Sequence, residues 1–135
     1  MSLSSGTCVN FETVVHELGH VVGFWHEQSR PDRDEHVTIH YENIRTDATK
    51  QFQKLSPNSL NEMSTPYDAV SVMHYRENSF SNGRGYTIES KHGIPLSNVE
   101  LSPIDVLQIR KLYNCPKSKH IFSSAVMNIC NILII

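Results

Sequence analysis

The chain has 135 residues, with 12 Lys and Arg against 14 Asp and Glu, a formal net charge of -2 and 39% hydrophobic residues. That length suits one compact domain with a modest core. The scattered, nearly balanced charge excludes a basic stripe for nucleic acid and a patch for an anionic membrane surface. Met1 to Thr7 is short, polar and glycine-containing, without the basic start and apolar run of a secretory signal.

Asn10 reads as an N-cap and Glu12 places a negative charge in the first turn. Phe11, Val14, Val15, Leu18, Val21 and Val22 then recur with helical period, which predicts a helix over about 10–23. Its sequence contains His16-Glu17-Leu18-Gly19-His20, followed by Gly23 and His26. Residues i and i+4 share one helix face, so His16 and His20 are able to aim ring nitrogens at a single ion. Glu17 sits beside the first ligand, where a carboxylate reaches a water on the metal without taking a coordination position. A continuing helix would carry His26 away from the ion. Gly23 in the left-handed conformation ends the helix and returns the chain, so that His26 supplies the third nitrogen of a single zinc site.

Downstream, Ser29 to Glu35 is too polar for a core strand, and its alternating signs predict a loop closed by local ion pairs. Val37 to Tyr41 reads as a short extended piece, and Ile44 to Leu55 as weakly helical or irregular, ending at Pro57. Residues 56–100 are rich in Ser, Asn, Gly and Pro, which predicts long ordered loops rather than a sheet. Among them stands the apolar and aromatic knot Ser71-Val72-Met73-His74-Tyr75, suited to the floor of a metal site. Ser102-Pro103-Ile104-Asp105 opens a second helix with an N-cap serine, a proline in the first turn and an acid at its third position. That helix is predicted to run to Leu112 or Tyr113, with Ile104, Leu107 and Leu112 on the core.

Of the remaining histidines, His36, His40, His92 and His120 show no mutual ligand spacing and read as surface residues or as supports for a site elsewhere. Cys8, Cys115 and Cys130 are odd in number, which leaves at least one thiol without an intrachain partner. After Pro116 the composition changes. Ile121 to Ile135 is apolar but shorter than the roughly 20 residues of a membrane span; it reads as an interfacial anchor, a truncated span or, the preferred reading, sequence unrelated to the domain before it.

The run HELGHVVGFWHEQSRPDRD, the later SVMHY and the closing LSPIDVLQIRKLYNC together resemble the astacin family of zinc metalloendopeptidases, over roughly Cys8 to Cys115. Glu27 directly after the third His, the Arg-Pro-Asp-Arg-Asp run and Met-His-Tyr separate this resemblance from metzincins in general. It implies an α+β, zincin-like fold: a zinc helix plus a C-terminal lobe of long loops and a closing helix, with the N-terminal sheet lobe largely missing. The domains expected are a truncated peptidase domain over 1–116 and an apolar tail over 117–135.

Carried over by position, the resemblance makes His16, His20 and His26 the ligands of one Zn2+ and Glu17 the catalytic base. Met73 becomes the apolar floor, and Tyr75 a phenol that sits on the zinc or swings aside to hydrogen-bond the tetrahedral intermediate. Glu27 would meet the amino terminus exposed by propeptide removal, and the cysteines matching Cys8 and Cys115 would bond to partners upstream of this chain. The implied activity is hydrolysis of protein or peptide substrates in an extracellular compartment, with no nucleic acid partner and no membrane role for the domain. The alternative is a zinc-binding lobe that is weakly active or inactive and acts at most as a binding module.

Overall fold

The computed structural model describes residues 11–57, 64–96 and 99–115. The expected N-cap Asn10, together with Cys8, His120, Cys130 and the tail, lies outside them. Two helices and one small sheet carry the fold: α1 (Phe11–Val21), β1 (Val37–Ile39), β2 (Ile88–Ser90) and α2 (Pro103–Leu112), with 3-10 turns at Glu27–Ser29, Arg33–Glu35, Tyr41–Asn43 and Thr46–Phe52. None of the described helices is long and apolar enough to cross a membrane.

The predicted helix ends are close to those observed, because both helices carry local stop signals. Gly23 has a φ of +103°. Its N–H bonds to His20 O at 3.1 Å while Phe24 N–H reaches Gly19 O at 3.0 Å, the paired bonds of a Schellman turn. At α2, Ser102 Oγ accepts from the N–H groups of Ile104 and Asp105, and the Asp105 carboxylate accepts from Ser102 N–H, which closes a capping box. Asn114, at φ 49°, ends that helix through the same kind of turn, with Cys115 N–H on Arg110 O at 2.8 Å.

Two elements differ from expectation. Residues 56–100 are mostly loop, but Ile88–Ser90 pairs antiparallel with Val37–Ile39, Thr38 facing Glu89, so a two-stranded sheet lies where loops alone were expected. Thr87 and Ile88 are fully buried, and that burial, rather than the Ser and Gly content around them, decides the strand. On α2 the buried face carries Asp105, Gln108 and Ile109. Leu107 is 44% exposed and is not a core residue, because it falls between the i, i+3 and i+4 positions that the capped end turns inward.

Two apolar clusters form. Val37, Ile44, Ala48, Phe52 and Ile88 make one. Phe24, Val72, Met73 and Ile109 make the other, joined by Val15 and Val22 from α1 and just after it. The segment 71–75 passes between them, Met73 in the second and Tyr75 against the first. The loop at 29–35 is closed by ion pairs as expected, Arg30 Nη2 to Asp32 at 2.7 Å and Arg33 Nε to Asp34 at 3.0 Å. Arg33 does more than close it: almost fully buried, its Nη1 donates to Gln28 O at 3.0 Å and Phe52 O at 2.6 Å.

Cys115 is disulfide-bonded. The other two cysteines lie outside the described residues.

Candidate active site

His16 and His20 stand one turn apart on α1, their rings edge to face with centroids 4.9 Å apart. The turn at Gly23 reverses the chain, and His26 follows in extended backbone, its ring 4.6 Å from that of His20 and 5.2 Å from that of His16. His26 Nε2 lies 3.2 Å from the Nε2 of each. Thus three nitrogens from a helix and the strand-like segment after it meet at one point.

Hydrogen bonds on the far sides of two rings settle which nitrogens carry protons. His16 Nδ1 lies 2.7 Å from Val72 O, and His20 Nδ1 lies 2.9 Å from Phe24 O. A carbonyl only accepts, so both Nδ1 atoms donate and both Nε2 atoms present bare lone pairs to the centre. Burial, followed by the charges of His20, His16 and His74, pushes the His26 imidazole down to about 4, which keeps it in the neutral, ligating form. A tetrahedral ion with Zn–N bonds of about 2.05 Å separates its ligand nitrogens by about 3.3 Å. The two 3.2 Å separations match that value, and the donor set fits zinc. Among the described residues these three form the one group of three or more His, Cys, Asp or Glu with metal-ligand geometry. His36, His40 and His92 are not brought there: His36 stacks on Tyr67 at 4.5 Å, His92 is exposed beside it, and His40 lies against Glu89.

Met73 is 2% exposed and its backbone O accepts from Glu27 N–H at 3.2 Å. Tyr75 packs its ring 4.7 Å from that of His26, is half-buried, and has its phenol pushed upward by that burial. Gln28 Oε1 accepts from Tyr75 N–H at 3.1 Å and so ties this residue to the segment that carries His26. Glu17 is half-buried on α1 immediately after His16.

Glu27 is buried, and burial raises its carboxyl to about 7 against the opposing pull of Arg30 and of the Asp68 N–H. Its Oε1 accepts from Asp68 N–H at 2.8 Å and from Arg30 Nη1 at 3.3 Å. Two further buried carboxylates lie nearby. Asp68 accepts from Ser102 Oγ through a short bond, and Asp105 from Ser71 Oγ at 2.7 Å. His74, fully buried, donates from Nδ1 to Tyr75 O at 2.6 Å and accepts from the Tyr67 hydroxyl at 2.7 Å.

Residues 1–114 match the family model of astacin, a peptidase family. The chain belongs to the astacin family. It is 44% identical over 119 residues to zinc metalloproteinase nas-4 of Caenorhabditis elegans, a match covering 86% of this chain and 38% of that protein. Tolloid-like protein 1 of Homo sapiens is 47% identical over 116 residues, covering 81% of this chain and 12% of its own length. In structure, the chain is similar to high choriolytic enzyme 1, a hatching enzyme zinc-protease of Oryzias latipes, with a TM-score of 0.78 and 37% identity over 85% of this chain and 58% of that one. The chain therefore spans less than two thirds of each of these relatives.

Within this astacin chain the structure adds Gly19, Gln28 and Asp105 to the residues that shape the site. Gly19 carried a legible signal, since a glycine inside a helix costs about 1 kcal/mol against alanine and marks a close approach when it is kept. A Cβ built there would lie 2.4 Å from Met73 Sδ. Gln28 and Asp105 carried no such signal, because polar residues one step from a motif or in a helix cap have ordinary local explanations.

Proposed function

We propose that this chain encodes a zinc-dependent endopeptidase site that hydrolyses peptide bonds in protein or peptide substrates. The supporting observation is the convergence of three histidine Nε2 atoms with two of the opposite Nδ1 atoms committed to carbonyl acceptors, an arrangement that suits one cation. Zinc held there supplies Lewis acidity, which polarises a carbonyl and acidifies a water. His16, His20 and His26 hold and orient. Glu17, one residue after His16, accepts the proton of the attacking water and returns it to the leaving amine. Tyr75, packed on His26, offers its phenolic O–H to the developing oxyanion. Met73 closes the site from below and excludes water from that side. Family membership and the Cys115 disulfide both favour an extracellular, oxidising compartment.

One observation favours a second function, a zinc-binding lobe with weak activity or none. Phe11, Leu18 and Val21 share one face of α1 and are 73%, 37% and 66% exposed, an uncovered apolar stripe, and Trp25, beyond the turn at Gly23, is 65% exposed. An uncovered stripe of that kind leaves the zinc helix supported on one side.

Replacing Glu17 by Gln separates the two. In the endopeptidase, the parent chain cleaves casein and the variant loses about 100-fold to 10,000-fold in rate while mass spectrometry still finds one zinc per chain. A parent that binds zinc and leaves casein intact supports the binding lobe. Equal cleavage by parent and variant removes Glu17 from its role.

A further inference from the structure

We propose that Asp105 on α2 is a positioning residue for the metal site, acting through Ser71 and Val72 on the orientation of His16. The proposal rests on the zinc site above. Asp105 is 1% exposed and uses both carboxylate oxygens. Oδ2 accepts from Ser102 N–H at 2.9 Å, which is all that the cap of α2 needs. The remaining bonds go elsewhere: Oδ1 accepts from Ser71 Oγ at 2.7 Å and Oδ2 from Val72 N–H at 3.0 Å.

Both of those partners lead to the histidines. Ser71 Oγ also accepts from Met73 N–H at 3.0 Å, so the one carboxylate sets the turn that presents Met73 to α1. Val72, gripped through its N–H, accepts at its O from His16 Nδ1 at 2.7 Å. That last bond holds the His16 proton on Nδ1 and turns Nε2 toward His20 and His26. A helix cap alone does not require a carboxylate rigidly shared between two segments about thirty residues apart in sequence, Ser102 on one side and Ser71 with Val72 on the other. Charge matters as well as shape. Bonds to an ionised acceptor are about twice as strong as neutral ones, so the carboxylate holds the turn more stiffly than an amide of the same shape.

The test uses the full chain and three variants, Asp105→Asn, Ser71→Ala and Ser102→Ala, with folding followed by circular dichroism. Zinc affinity is measured by competition with a chromophoric chelator, and site geometry from the visible absorption of the cobalt-substituted proteins. Asp105→Asn is expected to weaken zinc binding by about 10-fold to 100-fold and to shift the cobalt bands. Ser71→Ala moves both readouts in the same direction by less. Ser102→Ala removes the cap bonds to Ile104 and Asp105 N–H and the bond to Asp68 but leaves the Asp105 bonds to Ser71 and Val72, so its loss of zinc affinity stays below that of Asp105→Asn. Parent-like affinity in Asp105→Asn, or an equal loss in Ser102→Ala, overturns the proposal. If Asp105→Asn does not fold, Ser71→Ala decides, and parent-like affinity and bands in it overturn the proposal. A parent that binds no zinc overturns the metal site itself, and the positioning role with it.

Discussion

Met73 Sδ fills the space in which a side chain on Gly19 would begin: an added Cβ would meet the sulfur at 2.4 Å. Helix α1 therefore rests directly on the segment that carries Met73, at the one residue of α1 that is buried. Helix and turn are 54 residues apart, and their separation is set by the absence of a single carbon.

Gly19→Ala is accordingly expected to destabilise the fold, although alanine is the better helix former. Overpacking costs about 1–3 kcal/mol, and the helical gain returns about 1 kcal/mol at most. Urea unfolding shows the net loss as a lower midpoint at constant slope. A higher midpoint would mean that Met73 moves aside freely.

Tyr75→Phe keeps the ring on His26 and in the cluster with Phe52 and Phe80, and it removes only the hydroxyl. Steady-state kinetics on a peptide substrate should show kcat lower by about 100-fold to 1,000-fold, with zinc content unchanged. An unchanged kcat would remove the phenol from the transition state.

Arg33 looks like a member of a solvated loop in sequence, yet it bonds two buried carbonyls and the Tyr41 hydroxyl. Arg33→Leu strands Gln28 O and Phe52 O at about 1–3 kcal/mol each, so a loss of at least about 2 kcal/mol is expected in denaturant unfolding. Arg33→Lys retains a single donor nitrogen but lacks the fork, and should fall between the parent and Arg33→Leu.

Asp32 is held below its usual carboxyl range chiefly by its hydrogen bonds from Arg30, against the smaller upward effect of burial. A depressed folded-state value contributes stability that is fully present above the unfolded value of about 3.9 and is lost as pH falls through the folded one. Asp32→Asn should therefore cost up to about 1 kcal/mol near neutral pH, the ceiling for a pair this exposed, and nothing once both states are protonated. Unfolding free energies measured from about pH 7 down to about pH 2 check this: the two curves converge in acid. Parallel curves would show that the Arg30 contact makes no contribution.

Much of this protein is written in local sequence. Histidines four residues apart on one helix face, Gly23 at the stop, the adjacent Glu17 and the Ser102–Asp105 capping box are patterns within two helical turns, and elementary helix geometry makes each of them readable. The family resemblance added Met73 and Tyr75 from a segment some fifty residues away; in the structure Met73 Sδ lies against Gly19 of α1 and the Tyr75 ring packs on His26.

The tertiary structure alone decided the rest. Val72 O reaches His16 across 56 residues, Ser71 and Val72 find Asp105 across more than thirty, and β1 finds β2 across about fifty. Arg33 is buried for the same reason, since the carbonyl that needs it most closely belongs to Phe52, 19 residues on. Composition and periodicity report which face of an element prefers to be covered. Which polar partner satisfies a buried carbonyl or carboxylate depends on which distant segment packs there, and that is settled only when the whole chain has closed around it.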